Sequence, residues 1–192
     1  MLKVFLNESL YPRVYVNARR LSEYNYTAAG LYRLLSEALT RTRVSTRLIV
    51  YPRGLRGVDV KVLGTGVSVE FNWRKQEPPI PSLLEKFDEL AEDDGTYFLV
   101  VVDEARELRF LRGYNKVDFR QIIAYSYNNL CYTKLILSSS ELGLLYEFLE
   151  FNNYTSPLYV RVRDELVLSR FTPGGFNKVP GAGVQRGWNA TT

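Results

Sequence analysis

The sequence predicts an α/β fold in three layers, a parallel sheet with helices on both faces, and three observations carry that expectation. Helix-like and strand-like stretches alternate along the chain. One strand-like stretch, "YFLVVVD" at Tyr97–Asp103, is apolar at every position before its aspartate. A strand with one wet face alternates, so this run implies burial on both faces, as in a sheet sandwiched by helices. A chain of 192 residues is long enough for one ordinary domain with its own core.

In order, "LKVFLNE" carries Leu2, Val4 and Phe5 among helix formers and reads as the end of a helix stopped by Asn7 and Pro12. "RVYVN", Arg13–Asn17, alternates and is rich in β-formers, which predicts a strand. Leu31, Leu34, Leu35, Ala38 and Leu39 then recur at helical spacing, with Thr27 as the N-cap. "VDVKVLGTGVSVEFNW" reads as two short strands joined at Gly64-Thr65-Gly66. Leu83, Leu84, Phe87, Leu90 and Ala91 form one face of a further helix that Gly95 ends. After the strand at Tyr97–Asp103, a helix is expected within Val117–Leu130, and a second apolar run, "TKLILSSS", ends in hydroxyls. A short helix within Ser140–Glu150 and a last strand at Asp164–Phe171 complete the pattern. From Thr172 glycines, prolines and polar residues predict a poorly ordered tail.

Composition removes several function classes. The chain has no histidine, which disfavours Ser-His hydrolysis and most catalytic zinc sites, so any chemistry rests on carboxylates, lysines, arginines or hydroxyls. Cys131 is the sole cysteine and forms no internal disulfide; it is expected to be a small buried residue beside the next strand. No apolar run suggests a membrane span, and the N-terminus lacks a signal-peptide pattern, so a cytoplasmic protein is expected. The net charge of +4 is mild, but five arginines and no acid lie between Arg41 and Arg56. That segment is a candidate patch for a nucleic-acid or protein partner, or a solvated connection.

Asp103 and Glu104 are the strongest chemical candidates. In parallel sheets ligands bind beyond the carboxyl ends of the strands. Magnesium takes hard oxygen ligands and keeps several waters, so one carboxylate plus nucleotide phosphates suffices to hold it. The neighbouring Glu104 would orient or deprotonate the attacking water. Ser138, Ser139 and Ser140 end the adjacent apolar run and offer hydroxyls to a phosphate or water, although Ser140 also reads as an N-cap for the helix near Glu141. A weaker rival is a magnesium-dependent nuclease using Asp59, Lys61 and Glu70 on the two short strands.

Four separated segments carry a resemblance: "YVNARRLSEYNYTAAGLYRLLSEAL", "YFLVVVDEARELRFLRGYNKVDFRQIIAYSYNNL", "LILSSSELGLLYEFL" and "SPLYVRVRDELVLSRF". Together, from Met1 to about Phe171, they resemble the archaeal ATPase family of P-loop proteins, on the AAA+ and STAND side. The resemblance implies a P-loop NTPase-like domain over residues 1–171, followed by an irregular tail over 172–192, with ATP and Mg2+ as cofactors. It implies that Asp103 is the magnesium-associated aspartate and Glu104 the catalytic glutamate of the Walker B segment. Ser138 and Ser140 fall on the polar sensor segment, which in the family more often reads Thr-Gly-Ser. Arg161 falls on the arginine after "SPLY", a phosphate contact, where the family usually has glycine before it and this chain has Val160. The phosphate loop G-x-x-x-x-G-K-[ST] does not occur in the chain. "MLKVFLNESLYPR" resembles the helix that follows that loop, so the resemblance implies a truncated copy with an incomplete sheet and impaired ATPase function.

Overall fold

Burial follows the alternation of Arg13–Asn17, strand β1, with Val14 and Val16 inside and their neighbours half-buried. The structure is a computed structural model; it describes residues 10–40, 58–63, 66–71, 80–111, 118–161 and 163–166, the two strands between 58 and 71 by backbone alone. Two compact units divide the chain, Met1–Tyr159 and Val160–Thr192. The helix expected before Asn7, the Arg41–Arg56 segment and the tail lie outside the described residues.

In the first unit, β1 runs into a 3₁₀ helix, Ala18–Tyr24, whose N-cap Asn17 accepts from the Arg19 N–H. Helix α1, Ala28–Thr40, is capped by Thr27 as expected, its Oγ1 accepting from the Gly30 N–H at 3.1 Å. The two expected short strands form, β2, Val58–Leu63, and β3, Gly66–Phe71, and they pair antiparallel. Helix α2, Ile80–Asp93, buries all five residues assigned to its inner face. Gly95, at φ 61°, closes it with its N–H donating to Glu92 O and the Thr96 N–H to Ala91 O, a left-handed ending that favours glycine. Strand β4, Phe98–Asp103, is followed by a second 3₁₀ helix, Ala105–Phe110. Helix α3, Phe119–Asn129, strand β5, Thr133–Leu137, and helix α4, Leu142–Leu149, complete the unit. Neither 3₁₀ helix was expected, because six or seven residues carry too little periodicity to announce one.

The sheet has the order β1-β4-β5 with both pairings parallel. β4 is central, which accounts for its unbroken apolar run: Phe98 to Val102 are all buried. The three strands end at the same edge of the sheet, and that edge carries the candidate site.

The expected three layers are only partly seen. Val14, Val16, Phe98, Val100 and Val102 form one face and share a single core cluster with buried residues of α1, α2, α3 and α4. On the opposite face Leu99 and Val101 pack with Tyr15 and Ile136, and no described helical residue joins them. Among the described residues, then, helices cover one face of the sheet. No described helix is long and apolar enough to cross a membrane.

Helix α1 contains a glycine with no room for a side chain. A Cβ at Gly30 would lie 2.3 Å from Tyr24 Cβ, in a corner where the Tyr24 hydroxyl also donates to Glu37. Alanine at an open helical position gains about 1 kcal/mol over glycine. Gly30→Ala is expected instead to lower stability, by about 2 kcal/mol, through overpacking. Urea unfolding of the variant checks the sign; a rise in midpoint would overturn the packing argument.

Cys131 is exposed, contrary to its expected burial. It lies in the bend before β5, where Asp88 of α2 accepts from the backbone N–H groups of Cys131, Tyr132 and Thr133 at 3.1, 2.7 and 2.5 Å. The backbone is held by the aspartate, which leaves the thiol no need of the core.

In the second unit, Asp164 to Leu166 are the described part of the expected last strand, and they form no more than an isolated bridge residue at Glu165. Arg163 Nε lies 2.5 Å from Glu165 Oε1.

Candidate functional site

Parallel pairing sets Asn17 of β1 beside Asp103 and Leu137 of β5 beside Val102. The ladder continues past the end of β5: the Ser138 N–H donates to Val102 O at 3.0 Å, and the Ala105 N–H to Ser138 O at 2.9 Å. Two backbone bonds therefore fix the first serine of "SSS" against the Asp103-Glu104 turn.

The Asp103 carboxylate is held on both oxygens. Ser138 Oγ donates to Oδ1 at 2.6 Å, and the Glu104 N–H donates to the same oxygen at 3.2 Å. The Tyr15 hydroxyl donates to Oδ2 at 2.5 Å. Burial raises the Tyr15 pKa well above tyrosine's usual range, and the hydrogen bond to Asp103 and the charges of Asp103 and Glu104 raise it further. The phenol thus stays a proton donor across the physiological range.

Glu104 turns away from the strand in a left-handed conformation, φ 54° and ψ 43°. Non-glycine residues adopt this region at a cost, which is borne where direction matters. Its Oε1 accepts from Arg19 Nη2 at 2.9 Å, and its Oε2 from Ser140 Oγ at 3.0 Å and the Ser140 N–H at 3.4 Å. Arg106 is buried behind it, with Nε 3.6 Å from Glu104 Oε2 and 3.4 Å from Glu107 Oε1, and Nη1 paired with Glu141. The Arg106 pKa is raised, first by the Glu141 bond. Arg19, by contrast, is 59% exposed.

Asp103, Glu104, Ser138 and Ser140 are therefore brought together at one edge. Ser140 does not cap α4: the N-cap is Glu141, whose side chain pairs with Arg106 rather than with a helix N–H, and Ser139 Oγ accepts from the Glu141 N–H at 3.2 Å. Ser140 is committed to Glu104 instead. Arg161 belongs to the second unit, half-buried, directly after Val160 at φ 59°. The resemblance expects glycine at position 160, and the backbone there has the conformation that glycine favours. Asp59 is the register partner of Glu70, and Lys61 that of Ser68. Tyr15, Arg19 and Arg106 were not read as site residues. Only "DEAR", with a cation two residues past the glutamate, held a signal for one of them.

The donor set is all oxygen: two carboxylates and two serine hydroxyls, with a phenol behind Asp103. Hard oxygens fit magnesium rather than a soft metal. No group of three or more His, Cys, Asp or Glu that could hold a metal occurs among the described residues. A metal here would be shared between Asp103, water and a phosphate-bearing ligand, not enclosed by protein.

A parallel α/β sheet with an Asp-Glu pair at the carboxyl end of its central strand is an ATPase-like arrangement. Among solved structures, the chain is similar to the Walker-type ATPase PABY2304 of Pyrococcus abyssi, at 29% identity and a TM-score of 0.61 over 84% of this chain. The chain spans 42% of that protein's length. No protein-family model matches it, and no curated protein does.

Proposed function

We propose that this chain forms the magnesium and water side of an ATP-binding, ATPase-type site of the archaeal ATPase kind. The observation that carries the reading is the Asp103-Glu104 pair at the end of β4, with Ser138 on one carboxylate and Ser140 on the other. The likeness to a Walker-type ATPase supports it. In this reading Asp103 and Ser138 hold Mg2+ and its waters, and Glu104 orients the attacking water. Ser140 contacts the terminal phosphate. Magnesium bound there supplies charge neutralisation on the phosphate oxygens. Because the 192 residues contain no G-x-x-x-x-G-K-[ST] sequence to cradle phosphates, ATP binding by this chain alone is weak and its ATPase function impaired.

Titration with a fluorescent ATP analogue tests this. Binding is expected to be weaker than micromolar, to need magnesium, and to fall about tenfold or more in Asp103→Ala. Binding that ignores both magnesium and Asp103→Ala would sink the site assignment. Micromolar affinity lost in Asp103→Ala would keep the site and refute the impairment.

A further inference from the structure

We propose that Tyr15 is a positioning residue for the Asp103 carboxylate and sets the magnesium affinity of the site. This rests on the reading of Asp103 as the magnesium-side carboxylate. An aspartate carboxyl turns about a broad, two-fold torsion, so its direction is set by the donors around it. Ser138 and the Glu104 N–H reach Oδ1 from the turn side of the site, both within the segments joined by the β4-β5 ladder. Tyr15 reaches Oδ2 from the other neighbouring strand. A donor on each oxygen, from opposite sides of the central strand, fixes the plane of the carboxylate.

The β1-β4 register makes this contact possible. Tyr15 pairs with Val101, two residues before Asp103, so Tyr15, Val101 and Asp103 share one face of the sheet. The ring packs with Leu99 and Val101, the latter with no exposed surface, and this holds the hydroxyl at a fixed reach. Each carboxylate oxygen can accept more than one hydrogen bond, so the hydroxyl orients Asp103 without using up its capacity for a metal or metal-bound water. Groups that hydrogen-bond a metal-binding carboxylate tune metal affinity without touching the metal.

Tyr15→Phe separates this role from simple packing, because it keeps the ring and removes the hydroxyl alone. The magnesium concentration giving half-maximal binding of the fluorescent ATP analogue is expected to rise about tenfold. The thermal midpoint should stay at the wild-type value. If the magnesium midpoint is unchanged in Tyr15→Phe but rises in Asp103→Ala, Tyr15 has no positioning role and the ATP-site reading stands. If Tyr15→Phe shifts the thermal midpoint together with the magnesium midpoint, the hydroxyl is structural and the proposal fails. If the wild-type chain shows no magnesium dependence, both readings fall.

Discussion

Phe98→Ala should cost about 4 kcal/mol of folding stability. Phe98 begins β4, is 1% exposed, and stacks on Phe87 of α2 with centroids 4.3 Å apart and an interplanar angle of 7°. The loss combines transfer of the side chain, the cavity left behind, and about 1 kcal/mol from the ring pair. Domains of this size are held by roughly 5–15 kcal/mol, so one truncation removes a large share. Phe98→Leu keeps most of the volume and should cost less than about 1.5 kcal/mol. Chemical denaturation of both variants distinguishes them; equal small losses would show that the ring pair is not a core anchor.

Asp88→Ala should cost about 3 kcal/mol. The side chain satisfies three successive backbone N–H groups at the entry to β5, and alanine leaves them without that acceptor. Asp88→Asn keeps a carbonyl oxygen but not the charge, and about half the loss is expected. Equilibrium unfolding measures the difference, and hydrogen exchange at Tyr132 and Thr133 locates it. A loss below about 0.5 kcal/mol in Asp88→Ala would mean that water replaces the carboxylate freely. Residues 87 and 88 thus clasp the starts of β4 and β5, whose far ends carry Asp103 and Ser138.

Most of the fold was legible because its elements are periodic. The helical stripes at Leu31–Leu39 and Leu83–Ala91 and the unbroken apolar run into Asp103 each mark a local repeat meeting a buried surface. That Asp103, Glu104, Ser138 and Ser140 would meet at one edge was legible because they stand where two apolar strands stop. That Tyr15 and Arg19 would join them was not. Their contacts join residues 88 and 85 positions apart, and such pairs arise from strand register, which local patterning does not contain. Ser140 misled in one respect for a related reason: a serine before a helix usually caps it, but here its hydroxyl donates to Glu104, 36 positions away. Helical cover on both faces of the sheet was likewise inferred from the apolarity of β4, yet Val101 is enclosed on a face where no described helix packs.

The left-handed turn at Glu104 also bears on how this chain would respond to engineering. A search for stabilising substitutions would favour glycine or asparagine at position 104, since either accepts φ 54° at less cost. Glycine would release the backbone from strain and at once discard the carboxylate that Arg19, Ser140 and Arg106 surround. A residue poorly suited to its backbone is thus one around which neighbouring charges are arranged. Optimising this protein for robustness and preserving the role proposed for Glu104 are therefore opposed at that position.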